Sequence, residues 1–240
     1  MGTLLSEFRE LRAIIHVTDG APCRGSDAAD AGANSREEYV TLRRREFENA
    51  MRQAGVRADR HVSLWCPDQE APFRIAELAK RLASLFQRFH ASFVFTHSYE
   101  GGHPDHDACA AAVRSAVLLL ERQQRRRPEI LEFTSYHACS SGLNTECFLG
   151  HPGRIWRRPL DERQRQFKSR LLSNYVSQQR VLCQFPLLEE PLRMAPRYNM
   201  LKPPHKGQLY YEQFEWGING RMWRRLASHA MNTLGFCLPV

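Results

Sequence analysis

Apolar and polar positions along the first half of the chain follow two alternating periods. Ala13-Ile14-Ile15-His16-Val17-Thr18 is a short apolar run stopped by Asp19-Gly20, which predicts a buried strand ending in a turn. Similar runs over 61–66, 91–96 and 130–136 predict three further strands. Between them the apolar spacing becomes helical. Ser35 followed by Glu38 matches a capping box and opens a helix that Gly55 stops. Ile75, Leu78, Leu82, Leu85 and Phe86 mark a helix over 72–89, and residues 104–122 make an Ala-rich apolar one. Leu4, Leu5, Phe8 and Leu11 place the tail of a helix over 3–11, and residues 20–35 read as a long surface loop.

Strand and helix therefore alternate over 13–136, the signature of βαβ units. The expected fold is α/β, a Rossmann-like, mostly parallel sheet with helices on both faces. After residue 137 the pattern changes: a helix over 160–183, a stretch rich in Pro and turn residues over 186–210, and a last helix over 219–234. One domain spanning 1–240 is expected, with 13–136 as core and 137–240 covering the strand ends.

Composition narrows the class. Hydrophobic residues make up 42% of 240, enough to bury a core, which excludes a disordered chain. No apolar stretch approaches the roughly 18 residues of a membrane span, and no signal-peptide pattern opens the sequence. Seven cysteines, an odd number without a Cys-x-x-Cys pair, fit a reducing cytoplasm better than a disulfide framework. The net charge of +8 is scattered over Arg43–Arg45, Arg125–Arg127 and other short groups, as on solvated helix faces. Neither a nucleic-acid nor a membrane partner is expected.

Chemistry gathers in Thr96-His97-Ser98-Tyr99-Glu100-Gly101-Gly102-His103-Pro104-Asp105-His106-Asp107. The string follows a buried strand and enters a helix, the place where open α/β sheets bind ligands. Gly101 and Gly102 permit a tight turn, and Pro104 suits a first helical turn. His103 and His106 fall on neighbouring helical positions, so two imidazoles and a carboxylate lie close enough to hold a metal or to place an acid or base beside one. For His103 or Asp105 alone, plain helix capping is the competing reading.

The string Glu100-Gly-Gly-His-Pro-Asp-His106 resembles the second motif of the PIG-L/LmbE-like metal-dependent N-acetylglucosaminyl deacetylases. Val17-Thr-Asp-Gly-Ala-Pro22 is similar to that family's second strand and turn, and Arg43 to Glu46 to its Arg-x-x-Glu helix. Tyr175-Val-Ser-Gln178 looks like its Ser-Gln helix, and Pro203-Pro-His-Lys-Gly207 with Tyr211, Glu212 and Trp216 like the tail of a bacterial subgroup. The resemblance implies a hydrolase that removes an N-acyl group from a small amino-sugar conjugate with the help of zinc or another divalent metal. It implies His106 as a metal ligand and His103 as the histidine that faces the tetrahedral intermediate or the leaving amine. Asp105 becomes the carboxylate beside that histidine, and Arg43 and, by a looser match, Asp68 become substrate contacts. Asp19 is placed by its position at the first strand's end, as a further substrate contact or as a turn-capping residue.

The sequence departs from the family in one respect. It contains no His-Pro-Asp-Asp motif, which in relatives ends the first strand and supplies two metal ligands and the general base. That strand is expected to be absent and the domain N-terminally incomplete, with weak or no metal binding and impaired turnover. The alternative is a non-catalytic relative that binds a glycan or a partner through the retained cleft.

Overall fold

The computed structural model describes residue 3 and residues 11–24, 26–140, 142–150 and 153–236. The helical tail read over 3–11 lies outside the described residues, apart from Thr3 and Leu11. In chain order the elements are β1 (Ile14–Pro22), α1 (Asp27–Asp30), α2 (Arg36–Gln53), β2 (His61–Asp68), α3 (Ile75–Arg88), β3 (Phe93–His97), α4 (Pro104–Arg122), β4 (Glu129–Phe133), β5 (Tyr136–Cys139), β6 (Gly142–Thr145), β7 (Ile155–Pro159), α5 (Glu162–Ser173), α6 (Gln179–Leu182), β8 (Glu189–Met194) and α7 (Gly220–Thr233). Two compact units divide the chain, one formed by residues 1–68 and 157–191, the other by 69–156 and 192–240.

The first unit holds the βαβ unit β1–α2–β2, with the strands parallel. Ser35 caps α2 by accepting from the Glu38 N–H at 3.1 Å, while the Glu38 carboxylate accepts from the Asn34 N–H at 2.9 Å. This second bond lands one residue before the cap. Gly55, at φ +73°, follows the helix in the left-handed conformation that glycine tolerates. Phe47, Ala50 and Met51 of α2 bury against Ile14, Val56 and Tyr175. The ladder runs Ile14↔His61, Ile15↔Val62, His16↔Ser63 and then Thr18↔Cys66, so β2 carries an extra residue. Trp65, at φ +57°, sits in that bulge and is 51% exposed.

The second unit holds β3–α4–β4, again parallel, from Phe93↔Glu129 to His97↔Phe133. Leu192–Met194 of β8 adds an antiparallel neighbour to β4, and β5 and β6 form a hairpin. The apolar face of α3 (Leu78, Ala79, Leu82, Phe86) meets the small side chains of α4 (Ala108, Ala111, Ala112, Ala116), whose size lets the two helices approach closely.

The strands expected at 13–18, 61–66 and 91–96 are present, and the fourth stops at Phe133. They pair as two parallel pairs rather than in one sheet of four. Periodicity marks a strand, but its ladder partner is chosen by tertiary packing. Three segments depart from expectation. The loop over 20–35 contains α1. The single helix over 160–183 is broken into α5 and α6, because Asp161 caps α5 in a capping box with Gln164 and the turn at Asn174–Gln178 interrupts the run. The turn-rich stretch conceals β8.

Candidate active site

β3 ends on His97, and α4 begins seven residues later, at Pro104. The intervening turn is held from inside by carboxylates. Asp107 is fully buried, and its Oδ1 accepts the N–H groups of Glu100 (3.0 Å) and Gly101 (3.1 Å). Glu100, 1% exposed, turns the other way. It accepts from Thr134 Oγ1 (2.5 Å), Ser135 N–H (2.8 Å) and Tyr136 N–H (3.3 Å). Gly102 has no room for a side chain, since a Cβ there would stand 1.9 Å from the Tyr136 carbonyl oxygen. Gly101 has φ +74° and lies under Pro204, His205 and Leu209, and its carbonyl accepts the Tyr210 N–H at 2.9 Å.

Three imidazoles gather at the helix start. His103 is the N-cap of α4, and its Nδ1 accepts the Asp105 N–H at 3.2 Å, so the capping reading is also true of it. Because Nδ1 is an acceptor, the neutral ring carries its proton on Nε2. Burial pushes the His103 pKa down to about 4. His106 stacks face to face on His97, with ring centroids 3.9 Å apart, and His97 also meets the edge of Phe133. Burial, and then the neighbouring imidazoles, hold His97 and His106 well below the usual histidine range. His106 Nδ1 is buried without a hydrogen-bond partner among the described residues. Trp216 lies 5.0 Å from the His103 ring, and Tyr136 stands edge-on to His106 at 5.6 Å. Burial raises Asp107 to about 8, against the opposing effect of its two N–H donors.

The Asp105 carboxylate accepts the N–H groups of Gln69 (2.6 Å) and Ala71 (3.1 Å) and stands 3.9 Å from His103 Nδ1. Its backbone, not its carboxylate, makes the short bond to His103. Within this unit the donors fit one position of a divalent ion's shell: the unpartnered nitrogen of His106 suits a ligand, while His103 Nδ1 is already an acceptor for the chain.

Asp19, Arg43 and Asp68 lie in the first unit. Asp19 pairs with Arg36 and accepts the N–H groups of Ala21 (3.0 Å) and Asp68 (3.1 Å), a turn-capping arrangement. Asp68 accepts from Thr18 Oγ1 at 3.3 Å. Arg43 donates to Gly20 O (3.2 Å), to Glu46 (2.5 Å) and to Ser177 Oγ (3.2 Å). Glu46 in turn accepts the Ser177 N–H at 2.7 Å, and Gln178 reaches Tyr39 OH at 3.0 Å. The Arg-x-x-Glu and Ser-Gln segments, far apart in sequence, thus form one network. Asp19 also borders a cleft of about 450 Å³ lined by His16, Phe47, His61 and Trp65.

Residues 2–117 match the PIG-L family, described as GlcNAc-PI de-N-acetylase. The family resemblance carried by the Gly-Gly-His-Pro-Asp-His string is thereby borne out. No curated protein matches the chain significantly. Among solved structures, the A40926 pseudoaglycone deacetylase Dbv21 is similar with TM-score 0.60 and 17% identity, covering 82% of this chain and 91% of its own. The zinc-inhibited form of the teicoplanin deacetylase Orf2 gives 0.58 and 13%, covering 83% and 93%. The conserved protein TT1542 from Thermus thermophilus gives 0.50 and 19%, covering 75% and 74%. These likenesses show a shared α/β fold.

Sequence reasoning passed over His97, Glu100, Asp107 and His137. The first three lie inside the quoted string. An imidazole at the last position of a buried strand and carboxylates flanking a Gly-Gly turn were the available signals. His137 is on β5, opposite Asn144 and 3.9 Å from Glu100. Tyr211 and Trp223 are core.

Proposed function

We propose that the chain is a metal-dependent amidohydrolase that removes an N-acyl group from a small amino-sugar conjugate. The observation that carries this reading is the pair His103 and His106 on the first turn of α4. One ring is fixed as an Nε2–H donor, and the other has a buried nitrogen with no hydrogen-bond partner among the described residues. The family match and the deacetylases named above support the reaction class.

In this reading His106 holds a divalent ion, zinc or a similar metal, which when bound would supply Lewis acidity toward the amide carbonyl. His103, held by the Asp105 N–H, presents Nε2–H to the developing oxyanion or the leaving nitrogen. The Asp105 carboxylate fixes the 69–71 backbone beside His103, and Trp216 offers an aromatic face next to it. Arg43, Asp68 and Asp19 are assigned to substrate contact. The reading places the chain in the cytoplasm as one deacetylase domain.

The sequence carries no His-Pro-Asp-Asp string. Zinc binding and turnover are therefore assigned to a form bearing that motif, and one imidazole is assigned weak affinity by itself. The test measures amine release from N-acetylglucosaminyl substrates beside metal content, for this chain and for a form extended N-terminally by a His-Pro-Asp-Asp strand. Restoration of both in the extended form is expected. An extended form that holds stoichiometric zinc yet releases no amine from any such substrate would defeat the reading and favour a glycan-binding relative.

A further inference from the structure

The turn at Gly101–Gly102 is flanked by a second pair of imidazoles that the assignments above leave unused. His137, on β5, is 5% exposed, and His205 lies on the segment that covers Gly101. Their ring centroids are 6.1 Å apart. Each has one ring nitrogen occupied and the other buried without a hydrogen-bond partner among the described residues: Nδ1 of His137 and Nε2 of His205.

The occupied nitrogens fix what the unoccupied ones offer. Asn144 Nδ2 donates to His137 Nε2 at 3.4 Å, which leaves the His137 proton on Nδ1. Glu100 Oε2, at 3.9 Å, is beyond hydrogen-bond range of that proton. His205 Nδ1 donates to the Lys206 carbonyl at 2.8 Å, which leaves Nε2 as an acceptor. The pair therefore presents one donor and one acceptor. The two tilted rings, with centroids 6.1 Å apart, stand as neighbours at the turn. A hydroxyl both accepts and donates and so matches the pair. A cation does not, since His137 Nδ1 carries a proton and the Glu100 oxygens already accept three bonds from residues 134–136.

We infer that His137 and His205 form a subsite that reads one hydroxyl group of the sugar, with His137 Nδ1–H donating to it and His205 Nε2 accepting from it. The inference rests on the amino-sugar reading above and adds to it where the ring is recognised.

The probes are N-acetylglucosamine and its 3-, 4- and 6-deoxy analogues, titrated into the full chain and followed by NMR. One analogue should bind wild type about 10-fold more weakly than the parent, the worth of one hydrogen bond. In His205→Leu, and independently in His137→Phe, the gap between parent and that analogue should narrow, because the hydroxyl loses one of its two partners, while the other analogues keep their ranking. His205→Gln, whose amide oxygen can accept in place of Nε2, should retain the discrimination. Parent affinity unchanged in both apolar variants, or equal binding of all four sugars to wild type, would overturn the subsite and leave the amino-sugar reading standing. Failure of folded wild type to bind any of the four would overturn both.

Discussion

Replacing Glu100 separates acceptor capacity from charge at the centre of the site. In Glu100→Ala three donors lose their acceptor: Thr134 Oγ1–H and the N–H groups of Ser135 and Tyr136. The Thr134 hydroxyl has a second acceptor in the Cys147 carbonyl at 3.2 Å and turns to it. The two backbone N–H groups lose a buried carboxylate acceptor, at about 1–3 kcal/mol each, so the expected loss is about 4 kcal/mol. Glu100→Gln keeps one oxygen for both N–H groups. Its amide nitrogen donates to Thr134 Oγ1 while that hydroxyl donates to Cys147, and about 1 kcal/mol is lost with the charge. In urea unfolding, at a slope of about 2–3 kcal/mol per molar, the Ala midpoint should fall by about 1.5–2 M and the Gln midpoint by less than about 0.5 M. Equal shifts in the two variants would show that charge, not acceptor capacity, decides, and an Ala variant within about 0.5 M of wild type would refute the accounting altogether.

Gly102→Ala forces a Cβ against the Tyr136 carbonyl and should cost about 3 kcal/mol in thermal melting, while Gly150→Ala, with open space around it, should be silent. Burial, and then Arg43, depresses His16 to about 4, below its unfolded value near 6.5. The unfolded chain then binds the extra proton between those values, so the His16 contribution is complete above about pH 6.5 and lost as pH falls toward 4. His16→Leu should flatten the stability profile in that window, and an unchanged slope would discredit the assignment. In a form extended with His-Pro-Asp-Asp, His106→Ala should abolish zinc retention. His103→Ala should keep the metal and lose turnover by about 10²-fold, checked by elemental analysis beside amine release.

The sequence made α4 and its first turn legible because Gly-Gly, Pro at the first helical position and an unbroken Ala-rich face all specify one local structure. Ser35 and Gly55 bounded α2 for the same reason. The bulge at Trp65 was not legible, since no glycine marks it and the left-handed conformation is imposed by the ladder to β1. Nor was β8, whose Glu190 and Arg193 are buried polar residues that break the strand period. Arg193 is tolerated there by its bonds to Glu132 and Tyr198, partners that only the fold supplies. The Glu100 and Asp107 cradles were hidden similarly: a carboxylate that accepts backbone N–H groups looks in sequence like any surface acid.

The clasp on Gly101 also governs when the site can form. The Tyr210 N–H that bonds its carbonyl, and the Trp223 indole that donates to Pro104 O at 3.0 Å, come from more than a hundred residues downstream. During synthesis α3, α4 and the β3–β4 pair can assemble while the turn between β3 and α4 still lacks its cover. If these long loops close after the folding barrier, substitutions at Leu209, Tyr210 or Trp223 should act mainly on the speed of unfolding, which unfolding kinetics of the variants would check. A ribosome-bound chain released at residue 200 would carry every residue of the Gly-Gly-His-Pro-Asp-His string and still lack the finished turn.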